Sequence, residues 1–209
     1  MNYSITQSGK PLDKSKYTID EKTKTFSSNE NYLVLDFKGL DGWTFNTGYG
    51  CTFNTGSDCT FNTEGYCTFN TRHNCTFNTG GDCVFYTGDG CTFHTSHICT
   101  FDTGSVCTFN TGSYSTFHTR EYCTFNTGGD CVFNTCRCCT FNSGRGCTFS
   151  IINNFISIKT QGNSTILIKD KKIHDYLEND IIVYFQNNEI LYTENKLNKE
   201  KYKMIKELS

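Results

Sequence analysis

Cys51-Thr52-Phe53-Asn54-Thr55-Gly56-Ser57-Asp58 is followed at once by Cys59-Thr60-Phe61-Asn62-Thr63-Glu64-Gly65-Tyr66, and the same eight-residue phrase continues without insertion to Phe149. Trp43 takes the first place in the opening copy and Ser115 takes it in one later copy. Every other copy through Cys147 begins with Cys. Phe holds the third place throughout, from Phe45 to Phe149. A fixed short period marks a solenoid, in which each unit buries its apolar face only against its neighbours.

Within the phrase, Cys-Thr-Phe-Asn-Thr alternates with period two and is rich in β-branched and aromatic residues. This predicts a short strand with Cys and Phe inward and the first Thr and the Asn outward. Gly-x-x then makes the corner, with the sixth-place Gly expected to supply a positive φ. The fold class is therefore all-β: a parallel β-solenoid, or β-helix, of eight-residue strand-turn repeats with rungs roughly 4.8 Å apart. The expected core is Trp43 with Phe53, Cys59, Phe61, Cys67, Phe69, Cys75, Phe77, Cys91, Phe93, Phe101, Phe109, Phe125, Phe133 and Phe141. The expected surface array is Thr52, Thr60, Thr68, Thr76, Thr92 and Thr100.

Imperfections in the repeat suggest the coil length, because residues one turn apart stack. His94 and His118 replace the fourth-place Asn 24 positions apart, His73 and His97 repeat that interval, and so do Arg72, Ser96 and Arg120 in the Gly slot. The corner triplets beginning at Gly56, Gly80 and Gly128 fall in the same column. These echoes predict a three-sided solenoid of 24 residues per coil, with about four and a half turns and a length of roughly 20 Å. A 16-residue coil would instead put His94 and His118 on opposite faces.

Outward from the repeat, residues 1–42 form an N-terminal β cap, with strands around Lys16–Asp20 and Tyr32–Phe37 and with Trp43 plugging the first rung. Residues 43–150 are the solenoid. Residues 151–209 form a C-terminal cap: a degenerate coil at Phe155–Ile158 and Ser164–Ile168, a hairpin from Ile181 to Tyr192 across Asn187-Asn188, and a short amphipathic helix from Asn195 to Leu208.

Composition supports this reading. Only 36% of the 209 residues are hydrophobic, and 18 Phe and 14 Cys stand where a globular core would use Leu, Ile and Val. A net charge of −2 offers no field for nucleic acid or an acidic membrane, so neither is an expected partner. The start, Met1 to Gln7, lacks the basic and apolar regions of a secretory signal, and no run reaches transmembrane length. The expectation is a cytoplasmic protein with cysteines as thiols.

A small residue two places before a large apolar one, with Thr or Asn between and after, resembles pentapeptide-repeat proteins, whose faces pair one small and one large inward residue. The unit here has eight residues, so their four-sided coil does not transfer. The phrase Cys-Thr-Phe-Asn-Thr-Gly is similar to octapeptide-repeat proteins of large DNA viruses of protists and algae. That resemblance covers about half the chain and implies a β-helical fold and a viral, virion-associated setting, with no activity attached.

Candidate sites are few. The Cys column suits packing better than bridging, because Ser115 would leave a disulfide partner unmatched, and buried Cys behaves as a small hydrophobe. Cys136 and Cys138 occupy corner slots beside Cys139 and offer the one place for a soft metal or labile disulfide. His94 and His118 offer a second metal or pH-responsive patch. The Thr/Asn array raises surface, ice or carbohydrate binding. No nucleotide loop, paired carboxylates or triad spacing appears, so the chain reads as a non-enzyme without a cofactor. The function expected is a structural or protein-interaction scaffold, viral or host-directed, that pairs with a protein partner or as a homo-oligomer through its caps.

Overall fold

The computed structural model describes residues 3–136, 138–151, 156–160, 165–168, 171–174, 181–186 and 189–194. Each repeat is one strand of three or four residues, such as Thr52–Thr55, Thr60–Thr63 and Thr68–Asn70. Successive strands alternate between two sheets. Phe53 pairs in parallel with Phe69, and Phe61 with Phe77, each sixteen residues on. One coil is thus two strands and two corners, and the solenoid has two faces.

The expected 24-residue, three-sided coil is corrected by this register. His94 lies between Asn78 and Asn110 in one sheet, while His118 lies between Asp102 and Asn134 in the other. The physical reason is the single large side chain per strand. Packed sheets stand about 10 Å apart, a gap that one Phe from each side fills. Nothing in the structure explains the 24-residue recurrence, which is one and a half coils.

Each sheet has twelve strands, nine of them joined in parallel, with antiparallel strands added at the ends. Eight rung steps make a rod of roughly 40 Å, about twice the expected length. The parallel pairing begins before the repeat, where Phe26 pairs with Phe45 and Leu35 with Phe53. It continues past the repeat, where Phe141 pairs with Ile158 and Phe149 with Ile166. Strands Ile156–Thr160 and Thr165–Ile168 thus continue the two parallel sheets, while Phe155 and Ser164 lie outside the described residues. The hairpin strands Ile181–Gln186 and Glu189–Glu194 pair antiparallel; Asn187-Asn188 and the expected helix over 195–208 lie outside the described residues.

The core is an aromatic herringbone. From Phe53 onward, rings stacked along one sheet have centroids 4.8–5.0 Å apart and planes within 6°. Rings facing each other across the core meet at 5.1–5.3 Å with planes 70–79° apart. These are the two arrangements that the ring quadrupole favours, each worth about 0.5–1.5 kcal/mol beyond area burial. All expected core residues are buried. Trp43 is buried too, edge-on to Phe37 at 5.1 Å, but it sits one coil inside the end. Tyr3, stacked on Phe37 at 5.0 Å, and buried Ile5 and Leu12 cover the N-terminal opening.

The corners differ from the sequence expectation in a consistent way. Positive φ falls on the eighth place, not on the sixth-place Gly: Asp58, Tyr66, Asn74, Asp82, Ile98, Val106, Tyr114, Tyr122, Asp130 and Cys138 all lie between +55° and +61°. At particular corners the sixth-place Gly permits a close approach of the neighbouring coil, while Glu64, Arg72, Ser96 and Arg120 fill the same place elsewhere. A Cβ on Gly80 would lie 2.6 Å from the Gly65 backbone nitrogen, and one on Gly56 would lie 2.8 Å from the Leu40 carbonyl oxygen.

Candidate interaction surfaces

The first-place thiols line two columns beside the corners, one per edge. Cys51 reaches the carbonyl oxygen of its own corner, and the thiols above it have one proton each within reach of oxygens of their own corner and of the corner below. The Cys91 thiol, for example, lies 3.7 Å from the Asp89 oxygen and 3.6 Å from that of Arg72. It also accepts the backbone N–H of Cys75 at 3.4 Å. Ser115 reproduces this role, accepting from the Cys99 N–H at 3.2 Å and donating to the Ser113 oxygen at 3.5 Å. The column thus needs a small group that both donates and accepts. Stacked thiols in register have Cβ atoms roughly one rung, 4.8 Å, apart, longer than the ~3.8 Å typical of a disulfide. Among the described residues all the cysteines are free. Contact with the thiol of the next coil (Cys107 for Cys91, Cys123 for Cys107), then burial, pushes Cys91 and Cys107 up to about 11.

The fifth-place side chains of Thr55, Thr103, Thr119 and Thr135 are buried. The Thr55 hydroxyl lies against the Cys59 thiol and that of Thr135 against Cys139, so these two turn toward the thiol column.

The outward surface is built from fourth-place side chains. On the face carrying Phe61, the Asn62 amide donates to Asn46 at 2.8 Å, Asn78 to Asn62 at 2.9 Å, and Asn126 to Asn110 at 3.0 Å. His94 fits into this ladder, with its Nδ1 3.4 Å from the Asn110 amide. Carboxamide donors on this face are therefore engaged along the rod.

The opposite face, carrying Phe53, keeps the ladder where Asn70 donates to Asn54 at 3.0 Å and where His118 Nδ1 lies 3.3 Å from the Asn134 amide, and departs from it between these rungs. Asn70, Tyr86, Asp102 and His118 occupy consecutive rungs in register. Tyr86, Asp102 and His118 are exposed, and Val84 and Val132 lie in the adjoining second-place lane. Thr71, Arg72, His73, Tyr86, Thr87, Gly88 and Asp102 line a shallow depression of about 360 Å³. His73 Nδ1 accepts the Asp89 backbone N–H at 3.0 Å, which places the ring proton on Nε2. The 3.8 Å approach of the Asp89 carboxylate to that same nitrogen becomes an ion pair only on protonation.

The structure separates what the sequence grouped. His94 and His118 are on opposite faces and form no common patch. Thr52, Thr68 and Thr100 share the Phe53 face, whereas Thr60, Thr76 and Thr92 share the other. Cys139 is buried in the thiol column with its sulfur 3.5 Å from the Arg120 oxygen, while Cys136 and Cys138 remain half-buried at the corner. Among the described residues no three His, Cys, Asp or Glu side chains gather as a metal site. Sequence reasoning passed over Tyr86 and Asp102. Their signal was there: both break the fourth-place Asn in one sixteen-residue lane. No family model, curated protein or solved structure matches the chain.

Proposed function

We propose that the chain is a rigid, non-catalytic structural or protein-interaction scaffold, needing no cofactor, that presents the Phe53 face to a protein partner. The observation that supports this most is the run Tyr86, Asp102 and His118. The three are stacked on consecutive rungs of one face, exposed, and unneeded by the core. An exposed aromatic ring beside charged and hydrogen-bonding groups is the composition of an interface anchor. The opposite face carries only Asn and His94 at the described fourth places of the repeat and offers a partner no exposed Tyr there. The likeness of the octapeptide phrase to proteins of large DNA viruses supports a viral structural or host-interaction role, in the cytoplasm or on the virion.

Self-association is a second form of the same reading, through the faces or through the caps. Of the two described N-terminal edge strands, Lys10–Pro11 carries a lysine and proline that oppose strand addition, and the other is the three-residue Thr18–Asp20. The test is a photocrosslinking amino acid placed at Tyr86 or, on the other face, at Asn78. The reading expects a discrete adduct, with a partner or a second copy, at position 86 alone. Equal adducts on both faces, or none at position 86, contradict it.

A further inference from the structure

The two edges of the flattened rod differ in how they satisfy backbone donors. On one edge, the seventh-place side chain of each coil accepts the seventh-place N–H of the next. Asp41 accepts from Ser57 at 2.6 Å, Ser57 from His73 at 3.4 Å, His73 from Asp89 at 3.0 Å, Asp89 from Ser105 at 2.7 Å and Ser105 from Glu121 at 3.4 Å. On the other edge this relay stops. Tyr49 N–H donates to Asn31 and Gly129 N–H to Ser113. The four between them, on Gly65, Gly81, His97 and Ser113, have no protein acceptor among the described residues. Gly65 and Gly81 carry no side chain to continue the relay, and His97 turns its Nδ1 to Ser96 at 2.8 Å.

Exposed apolar side chains in a strained backbone stand beside these donors. The eighth-place residues there include Tyr66, Ile98 and Tyr114, at 67%, 50% and 63% exposure and with φ of +61°, +58° and +61°. Val106 and Tyr122 repeat the feature on the relay edge, so what sets this edge apart is their placement beside open donors. Gly, Asn or Asp serves that backbone conformation at least cost, and this chain uses them elsewhere. A β-branched Ile or a Tyr there helps neither the turn nor the core. Strain kept for an exposed apolar side chain points outward, to something bound.

We propose that this edge is a binding site for an extended neutral glycan. A row of backbone donors one rung apart suits a ligand rich in acceptors, and exposed Tyr rings give flat faces for the C–H side of sugar rings. Glu64, Asp82 and Asp130 flank the row against one arginine, Arg145, so a phosphorylated or sulfated chain is disfavoured. A peptide strand fits the spacing poorly. Its carbonyls recur on one side about every 6.8 Å, against a rung of roughly 4.8 Å, whereas a pyranose ring is close to one rung in length.

The test uses cellohexaose and chitohexaose with the full chain, read by calorimetry and by backbone amide shifts. At least one should bind saturably at or below millimolar concentration, moving the Gly65, Gly81 and His97 amides. The Tyr66→Asn, Tyr114→Asn double variant should bind at least tenfold more weakly with an unchanged or raised Tm, because Asn tolerates positive φ. Tyr122→Asn on the other edge should change affinity less than twofold. The proposal is overturned if neither sugar binds, if the double variant keeps its affinity, if the shifts fall on the faces instead, or if dextran sulfate or an extended peptide binds more tightly at this edge.

Discussion

Ser115 shows what the first place of the repeat requires. A group that only filled space could be Ala or Val; serine instead repeats the thiol's hydrogen bonds to the corner. Cys91→Ser should therefore cost no more than about 1–1.5 kcal/mol in denaturant unfolding, whereas Cys91→Leu should cost about 1–3 kcal/mol by overpacking. The thiols also set a pH dependence. Cys91 and Cys107 rise from 9.0 to about 11 on folding, so the folded state holds their protons more tightly. Their contribution is full below pH 9 and is lost as pH climbs through 11, by up to a few kcal/mol per thiol. Unfolding midpoints should fall between pH 9 and 11, and less so in the Cys91→Ser, Cys107→Ser variant; an equal fall in that variant would show that Cys91 and Cys107 are not the groups held protonated. The eighth place behaves in the opposite sense. Ile98→Asn should raise stability by about 1 kcal/mol, since it relieves a β-branched residue at φ +58°. The sequence did not show this position's role, because Asp, Asn, Tyr, Ile, Val, Cys and Gly all occur there. Backbone demand and surface display compete at the same site.

At the scale of the strand, alternation made both the inward and the outward residues legible. Cys and Phe are buried in every described copy, and the fourth-place side chains are turned out. What alternation could not supply was the identity of each strand's neighbour. Sixteen and 24 are both multiples of eight, and the choice between them rests on how Phe rings pack across the core. The chance-like recurrence of His and Arg pointed to the wrong multiple. The sixteen-residue signal was weaker and lay in the Phe53 lane, where Asn70 gives way to Tyr86, Asp102 and His118. Because each ring contacts two stacked and two facing neighbours, a gap is not easily closed by relaxation. Phe93→Ala should cost about 3–5 kcal/mol, measured by equilibrium unfolding, with Phe93→Leu substantially milder; a loss below about 1 kcal/mol would contradict a close-packed herringbone.

The whole molecule is a short rod whose stability is shared between nearest-neighbour rungs. Its class was legible from an unbroken period, its length was not, since the non-repetitive flanks add coils that the octapeptide count misses. Leu33 and Leu35 occupy Cys and Phe slots without the phrase around them, and Ile158 continues a Phe column. Burial chemistry is conserved there while the motif is lost. The two faces and two edges then follow from the sixteen-residue coil, and every surface assigned to a partner depends on it. The most direct measurement is a distance between two spin labels carried by unnatural amino acids at Asn62 and Tyr86, which are 24 residues apart. The two-sided rod places them on opposite faces, separated by two sheets about 10 Å apart and by both outward label arms, so the labels should lie roughly 20 Å apart or more. A separation near one rung, roughly 5 Å between backbones, would mean that the two residues stack on one face and would contradict the two-sided coil.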